Sequence, residues 1–159
     1  MIVIADTGPL NYLLLIGHIE LLPVLFERVV IPDAVHMELQ HSKAPELVRS
    51  WITSPPAWLE VRSVGQAYDI AMPHLDEGER EAILLARELG IAILLMDDLE
   101  GRSAARSQHL QVIGTLGVLQ RASEKALINF KDALEKLDNT GFYISASLKY
   151  FLLEQQKKQ

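Results

Sequence analysis

The sequence predicts an α/β fold of three layers, with helices on both faces of a central, mostly parallel sheet. Short runs such as Ile2-Val3-Ile4-Ala5 and Ile91-Ala92-Ile93-Leu94-Leu95-Met96 are apolar without alternation, as strands buried on both faces are. Such runs recur between segments with helical spacing of apolar residues, and strands alternating with helices imply parallel pairing through crossovers. At 159 residues the chain suits one domain, and a domain of this size buries roughly 70% of its unfolded surface.

The elements follow in order. Residues 2–5 form a buried strand, and Thr7-Gly8-Pro9 turns the chain into a helix over about Leu10–Ile16. Asp6 or Thr7 caps that helix, and Pro9 is tolerated in a first turn. Gly17 ends it, and a second helix covers about Ile19–Phe26. Arg28-Val29-Val30-Ile31 reads as a strand, and Pro32 opens a helix carrying Glu38. Another helix over 44–53 stops at Ser54-Pro55-Pro56, and the alternating stretch Trp58-Leu59-Glu60-Val61-Arg62 suits a half-exposed strand. Asp76 caps a helix that runs to about Leu89, with Gly90 as its C-terminal stop. Residues 91–96 form the central strand, followed by a helix over about Leu99–Gln108 and a short strand at Val112-Ile113. Gly114-Thr115 starts a further helix. From about Leu127 the chain is helical, broken near Asn139-Thr140-Gly141 and ending in a polar tail from Glu154 to Gln159.

Composition narrows the chemistry. With 49% hydrophobic and 23% charged residues the chain is an ordinary globular protein. The absence of cysteine excludes disulfides, thiolate nucleophiles and cysteine-based zinc sites. Neither a signal-peptide pattern nor an apolar run of roughly 18 residues is present, so the expectation is a soluble, cytoplasmic protein with no membrane partner. A formal charge of −6 opposes general coating of nucleic acid, which favours basic surfaces. A nucleic-acid partner needs local Lys and Arg clusters or a bound cation.

Four distant acids fall where this fold gathers side chains: Asp6, Glu38, Glu81 and Asp98. Open parallel sheets bind ligands outside the carboxyl ends of their strands. Carboxylates gathered there repel unless a cation holds them. Asp6 stands at the tip of the first strand, although an N-cap role explains it equally. Glu38 lies three residues from Val35 and so borders the apolar stripe that Val35 and Leu39 share; most helical glutamates are simply solvated. In Asp76-Glu77-Gly78-Glu79-Arg80-Glu81, Asp76 and Glu79 have capping-box spacing. That leaves Glu81 as the preferred site residue and Glu79 as the fallback. Of Asp97-Asp98, one caps the following helix, and an Asp98–Arg102 ion pair is the bland reading. The sharper one gives Asp98 to metal and Arg102 and Arg106 to substrate phosphate, which arginine binds in planar, bidentate fashion. Thr115 caps its helix or helps that N-terminus bind a phosphate oxygen. Hard oxygen ligands select Mg²⁺ or Mn²⁺, and such ions assist phosphodiester hydrolysis.

Several segments resemble a PIN domain. They are Ile4-Ala5-Asp6-Thr7-Gly8-Pro9-Leu10, Ile31-Pro32-Asp33-Ala34-Val35-His36-Met37-Glu38-Leu39, and the helix Gly78-Glu79-Arg80-Glu81-Ala82-Ile83-Leu84-Leu85-Ala86. Leu94-Leu95-Met96-Asp97-Asp98 with Arg102, and then Val112-Ile113-Gly114-Thr115-Leu116-Gly117-Val118-Leu119, continue the likeness in the right order. The chain looks closest to bacterial and archaeal PIN-like proteins related to VapC-type toxin ribonucleases. The resemblance implies a carboxylate-bound Mg²⁺ or Mn²⁺ and cleavage of single-stranded RNA. It places the family's acids on Asp6, Glu38, Glu81 and Asp98; Asp97, Glu79, Thr7 and Thr115 are secondary candidates from the reading of the residues above. It also implies a homodimer and inhibition by a small antitoxin protein. Met96 stands where the family commonly has a hydroxyl residue, and Glu81 where it usually has Asp. The PIN-like α/β domain is expected over about residues 1–125, with 126–159 a C-terminal helical extension packed on it. The competing expectation is a catalytically silent PIN-like module that binds nucleic acid or protein.

Overall fold

Val3, Ile4 and Ala5 are wholly buried in β1 (Ile2–Ala5), the middle strand of a five-stranded sheet. The computed structural model describes residues 1–65 and 72–157. Its other strands are β2 (Arg28–Pro32), β3 (Leu59–Arg62), β4 (Ile93–Leu95) and β5 (Gln111–Ile113), in the order β3-β2-β1-β4-β5. Every neighbouring pair is parallel, with Ile4 beside both Val30 and Leu94.

The period-2 alternation of strand side chains divides the interior into two layers. Val3, Ala5, Val29, Ile31, Leu95 and Ile113 point into one apolar cluster. Ile4, Val30, Leu94 and Met96 point into the other. The first is covered by α1 (Thr7–Leu15), α2 (Leu21–Phe26), α3 (Asp33–Gln40), α4 (Glu46–Thr53), α7 (Thr115–Glu124), α8 (Phe130–Asp138) and α9 (Ala146–Gln156). The second is covered by α5 (Glu77–Leu89) and α6 (Leu99–Ser107). The result is the expected three-layer α/β/α arrangement.

Helix boundaries follow local chemistry. Asp76 Oδ1 accepts the Glu79 N–H at 2.8 Å while Glu79 Oε1 accepts the Asp76 N–H at 3.1 Å. These reciprocal bonds satisfy orphan donors at the start of α5. Gly90 closes α5 with φ 67°, a left-handed conformation that glycine adopts without steric cost. The first helix begins at Thr7, three residues before its expected start, because Pro9 supplies a helical φ inside the first turn. The central strand is shorter than the apolar run 91–96, since it spans only Ile93–Leu95, with Leu94 and Leu95 paired on both sides.

Phe130, Leu134 and Leu137 of α8 and Leu152 of α9 are buried in the same cluster as β1. Each such side chain contributes roughly 1.5–3 kcal/mol, so the C-terminal helices share the first layer's core. Helix α9 extends to Gln156; Lys158 and Gln159 of the expected polar tail lie outside the described residues. Among the described residues no helix is long and apolar enough to cross a membrane.

Candidate functional site

The strand order turns back on itself at β1 and β4, with β2 and β3 on one side and β5 on the other. This is the switch point at which a doubly wound sheet leaves a crevice beyond its carboxyl ends. Asp6 is the first residue past β1, and its N–H donates to the Leu95 carbonyl at 2.9 Å. Asp97 follows β4 by two residues, after the Met96 N–H has bonded the Ile113 carbonyl at 3.0 Å. The two carboxylates therefore leave adjacent central strands on the same edge.

Asp6 is only 8% exposed. Burial pushes its carboxyl up to about 7, against the opposing Thr7 N–H, and the charges of Asp76, Glu38 and Asp97 push it further. Glu38 reaches the crevice from α3. The Thr7 hydroxyl donates to Glu38 Oε2 at 2.6 Å, fixing this acid beside the first. Burial raises the Glu38 pKa, Thr7 opposes it, and Asp76, Glu77 and Glu81 add repulsion.

Glycine makes the convergence possible. A Cβ on Gly78 would stand 2.5 Å from Glu38 Oε1 and 3.3 Å from Asp6 Oδ1. The first turn of α5 thus leaves open the space onto which oxygens from β1 and α3 both face.

Asp97 is held from the other side. Its Oδ1 accepts the Thr115 N–H and its Oδ2 the Thr115 hydroxyl, both at 2.7 Å, which ties the N-terminus of α7 to the end of β4. Thr115 is fully buried, so the carboxylate satisfies polar groups that have no access to water. Burial raises the Asp97 pKa, while Thr115 and the Arg102 guanidinium lower it. Arg102 Nη1 also reaches the Met96 carbonyl at 3.4 Å.

The remaining acids each accept from a backbone amide at or next to a helix start. Glu81 Oε1 accepts the Ala34 N–H at 3.1 Å and so caps α3 from α5, although its charge is felt by Glu38. Asp98 Oδ2 accepts the Gly101 N–H at 3.0 Å as the N-cap of α6. That bond holds its carboxyl below the ordinary range, helped by Glu79. Glu79 is buried, its Oε2 lacks a donor, and burial pushes it up to about 8. Among the described residues no Asp98–Arg102 ion pair forms; Arg102 faces Asp97 instead. Arg106 is exposed one turn further along α6.

Asp76 is the group that sequence reasoning left in a capping role only. Its charge raises both Asp6 and Glu38. The available signal was its place two residues before Gly78, at the open start of α5.

The donor chemistry of Asp6, Glu38 and Asp97 suits a hard divalent cation, and the cradle over Gly78 collects two of their oxygens. Among the described residues, however, no three acids or histidines stand closely enough around one point to hold a metal ion. A bound cation requires these side chains to close inward. A search of curated proteins finds no match. The family model described as DUF3368: PIN domain matches residues 2–158.

Proposed function

The chain belongs to the PIN-domain family, and from that premise we propose that it is a Mg²⁺- or Mn²⁺-dependent endoribonuclease acting on single-stranded RNA. Membership points to nuclease-type chemistry. The metal and the RNA substrate are the more specific part of the reading. The observation that carries it is the meeting of Glu38 Oε1 and Asp6 Oδ1 over Gly78, with Asp97 leaving the neighbouring strand.

In this reading Asp6, Glu38 and Asp97 hold the cation. When bound, it polarises the phosphodiester and supplies an activated water. Thr7 orients Glu38, Thr115 orients Asp97, and Arg102 stands beside Asp97 to meet a substrate phosphate. Glu81 and Asp98 act one step back, fixing the starts of α3 and α6 through backbone amides. Arg106 extends the cationic side of α6. A toxin role, with a small antitoxin and a homodimer, rests on the sequence resemblance alone.

The second reading is a silent PIN-like module, favoured by the open spacing of the acids. Incubating labelled single-stranded RNA with parent protein and Asp6→Asn, with Mn²⁺ or EDTA, separates the two. Cleavage that needs metal and Asp6 supports the enzyme. Binding without cleavage in any metal supports the module.

A further inference from the structure

Beyond the acids, a groove of about 890 Å³ runs between β5, α7 and the segment leading into α9. We infer that this groove is the track along which single-stranded nucleic acid reaches the crevice, an inference that rests on the nuclease reading above. Asp97 and Arg102 are among its lining residues, so the groove shares these two residues with the crevice. Arg121 and Lys125 line it further along; four residues apart on or just after α7, they share one face. Arg121 is held in place over the Phe26 ring, 5.9 Å from its centroid.

Among the described residues that line the groove, these three cations stand with two acids, Asp97 and Glu124, in a chain whose formal charge is −6. The local sign is therefore opposite to that of the protein as a whole. Tyr143 also lines the groove and is 86% exposed. An aromatic face that is left in water beside a line of cations suits bases and phosphates together. The volume is near the upper end of small-molecule clefts and admits an extended chain. A double helix presents no free base faces for Tyr143 to stack on, so single strands are the ligand class.

The test uses fluorescein-labelled oligouridine with the full chain in EDTA, so that binding is read without cleavage. Tyr143→Ala and Lys125→Gln alter exposed side chains and are expected to melt with the parent. Tyr143→Ala should weaken binding about tenfold, as loss of one stacked base does. Lys125→Gln should weaken it several-fold and reduce the salt slope by about 0.7, the value for one phosphate contact on a single strand. Lys43→Gln, outside the groove, should bind as the parent does. Mn²⁺-dependent hydrolysis of bis(p-nitrophenyl) phosphate, too small to need the groove, should survive in all three.

Unchanged oligouridine affinity in both groove variants overturns the track. So does loss of small-diester hydrolysis in Tyr143→Ala, which would place that residue's effect in the crevice. A parent that sediments as a dimer and a Tyr143→Ala variant that is monomeric assigns the groove to a second copy instead. If oligouridine binds in the groove while neither substrate is cleaved, the nuclease reading fails and the track stands.

Discussion

Thr7 and Glu38, 31 positions apart in the sequence, are joined by a 2.6 Å hydrogen bond from hydroxyl to carboxylate. The bond places an acid from α3 beside the acid that ends β1. Thr7→Val keeps the shape and removes the donor. A hydrogen bond to a charged group is worth about 1.5 kcal/mol or more, so Mn²⁺ affinity and RNA cleavage should each fall about tenfold. Thr7→Ser should restore both. Equal activity in the Val and parent proteins would show that Glu38 needs no such anchor.

Asp97 and Asp98 are adjacent but differently employed. Asp98→Ala removes an N-cap and should cost about 1 kcal/mol of stability, with cleavage kept within a few-fold. Asp97→Asn keeps one acceptor for Thr115 yet loses the charge, and should lower cleavage at least about a hundredfold. Rate assays paired with thermal melts on both variants decide the matter, and the reverse pattern would assign the cation to Asp98.

Gly78→Ala tests the cradle. Alanine favours helix by about 1 kcal/mol over glycine, and its nearest neighbour is the flexible end of Glu38. The fold should therefore persist, with a melting temperature at or above the parent's. Cleavage should fall sharply because Glu38 must swing away. A variant of full activity would place the working oxygens elsewhere.

Asp6 sets a pH dependence. Its folded pKa of about 7 exceeds the ordinary 3.8, so the native state favours the protonated acid. The stability this contributes is complete below pH 3.8 and is lost as pH rises through 7. At 1.36 kcal/mol per pH unit the loss by pH 8 is roughly 4 kcal/mol. Without metal, Asp6→Asn should melt above the parent at pH 8, by a margin that shrinks toward pH 4. Added Mg²⁺ should raise the parent's melting temperature more than the variant's, since a ligand of the native state stabilises it. A margin independent of pH between 4 and 8 would contradict the buried charge.

Local signals in the sequence were enough for the layers and for most helix ends. Uninterrupted apolar runs announced strands buried on both faces, and the Asp76–Glu79 capping box and Gly90 bounded α5 as spacing alone indicated. The nearness of Asp6 to Glu38 was legible too, one from its strand end and the other from its place beside the Val35–Leu39 stripe. The different hydrogen bonds of Asp97 and Asp98 were not. Both follow the same strand, and only the distant Thr115 shows that Asp97 ties β4 to α7 while Asp98 caps α6. Glu81 was similarly opaque, because its partner, the Ala34 amide, comes from another helix. Side-chain caps between elements distant in sequence leave no local periodicity to read.

Titrating Mn²⁺ into metal-free protein by calorimetry, with Asp6→Asn, Glu38→Gln and Asp97→Asn alongside, addresses the shared site most directly. The parent should bind, and each substitution should weaken that binding by tenfold or more while the fold is kept. Absence of binding at millimolar Mn²⁺, or three variants that bind as the parent does, would contradict a cation held jointly by these carboxylates.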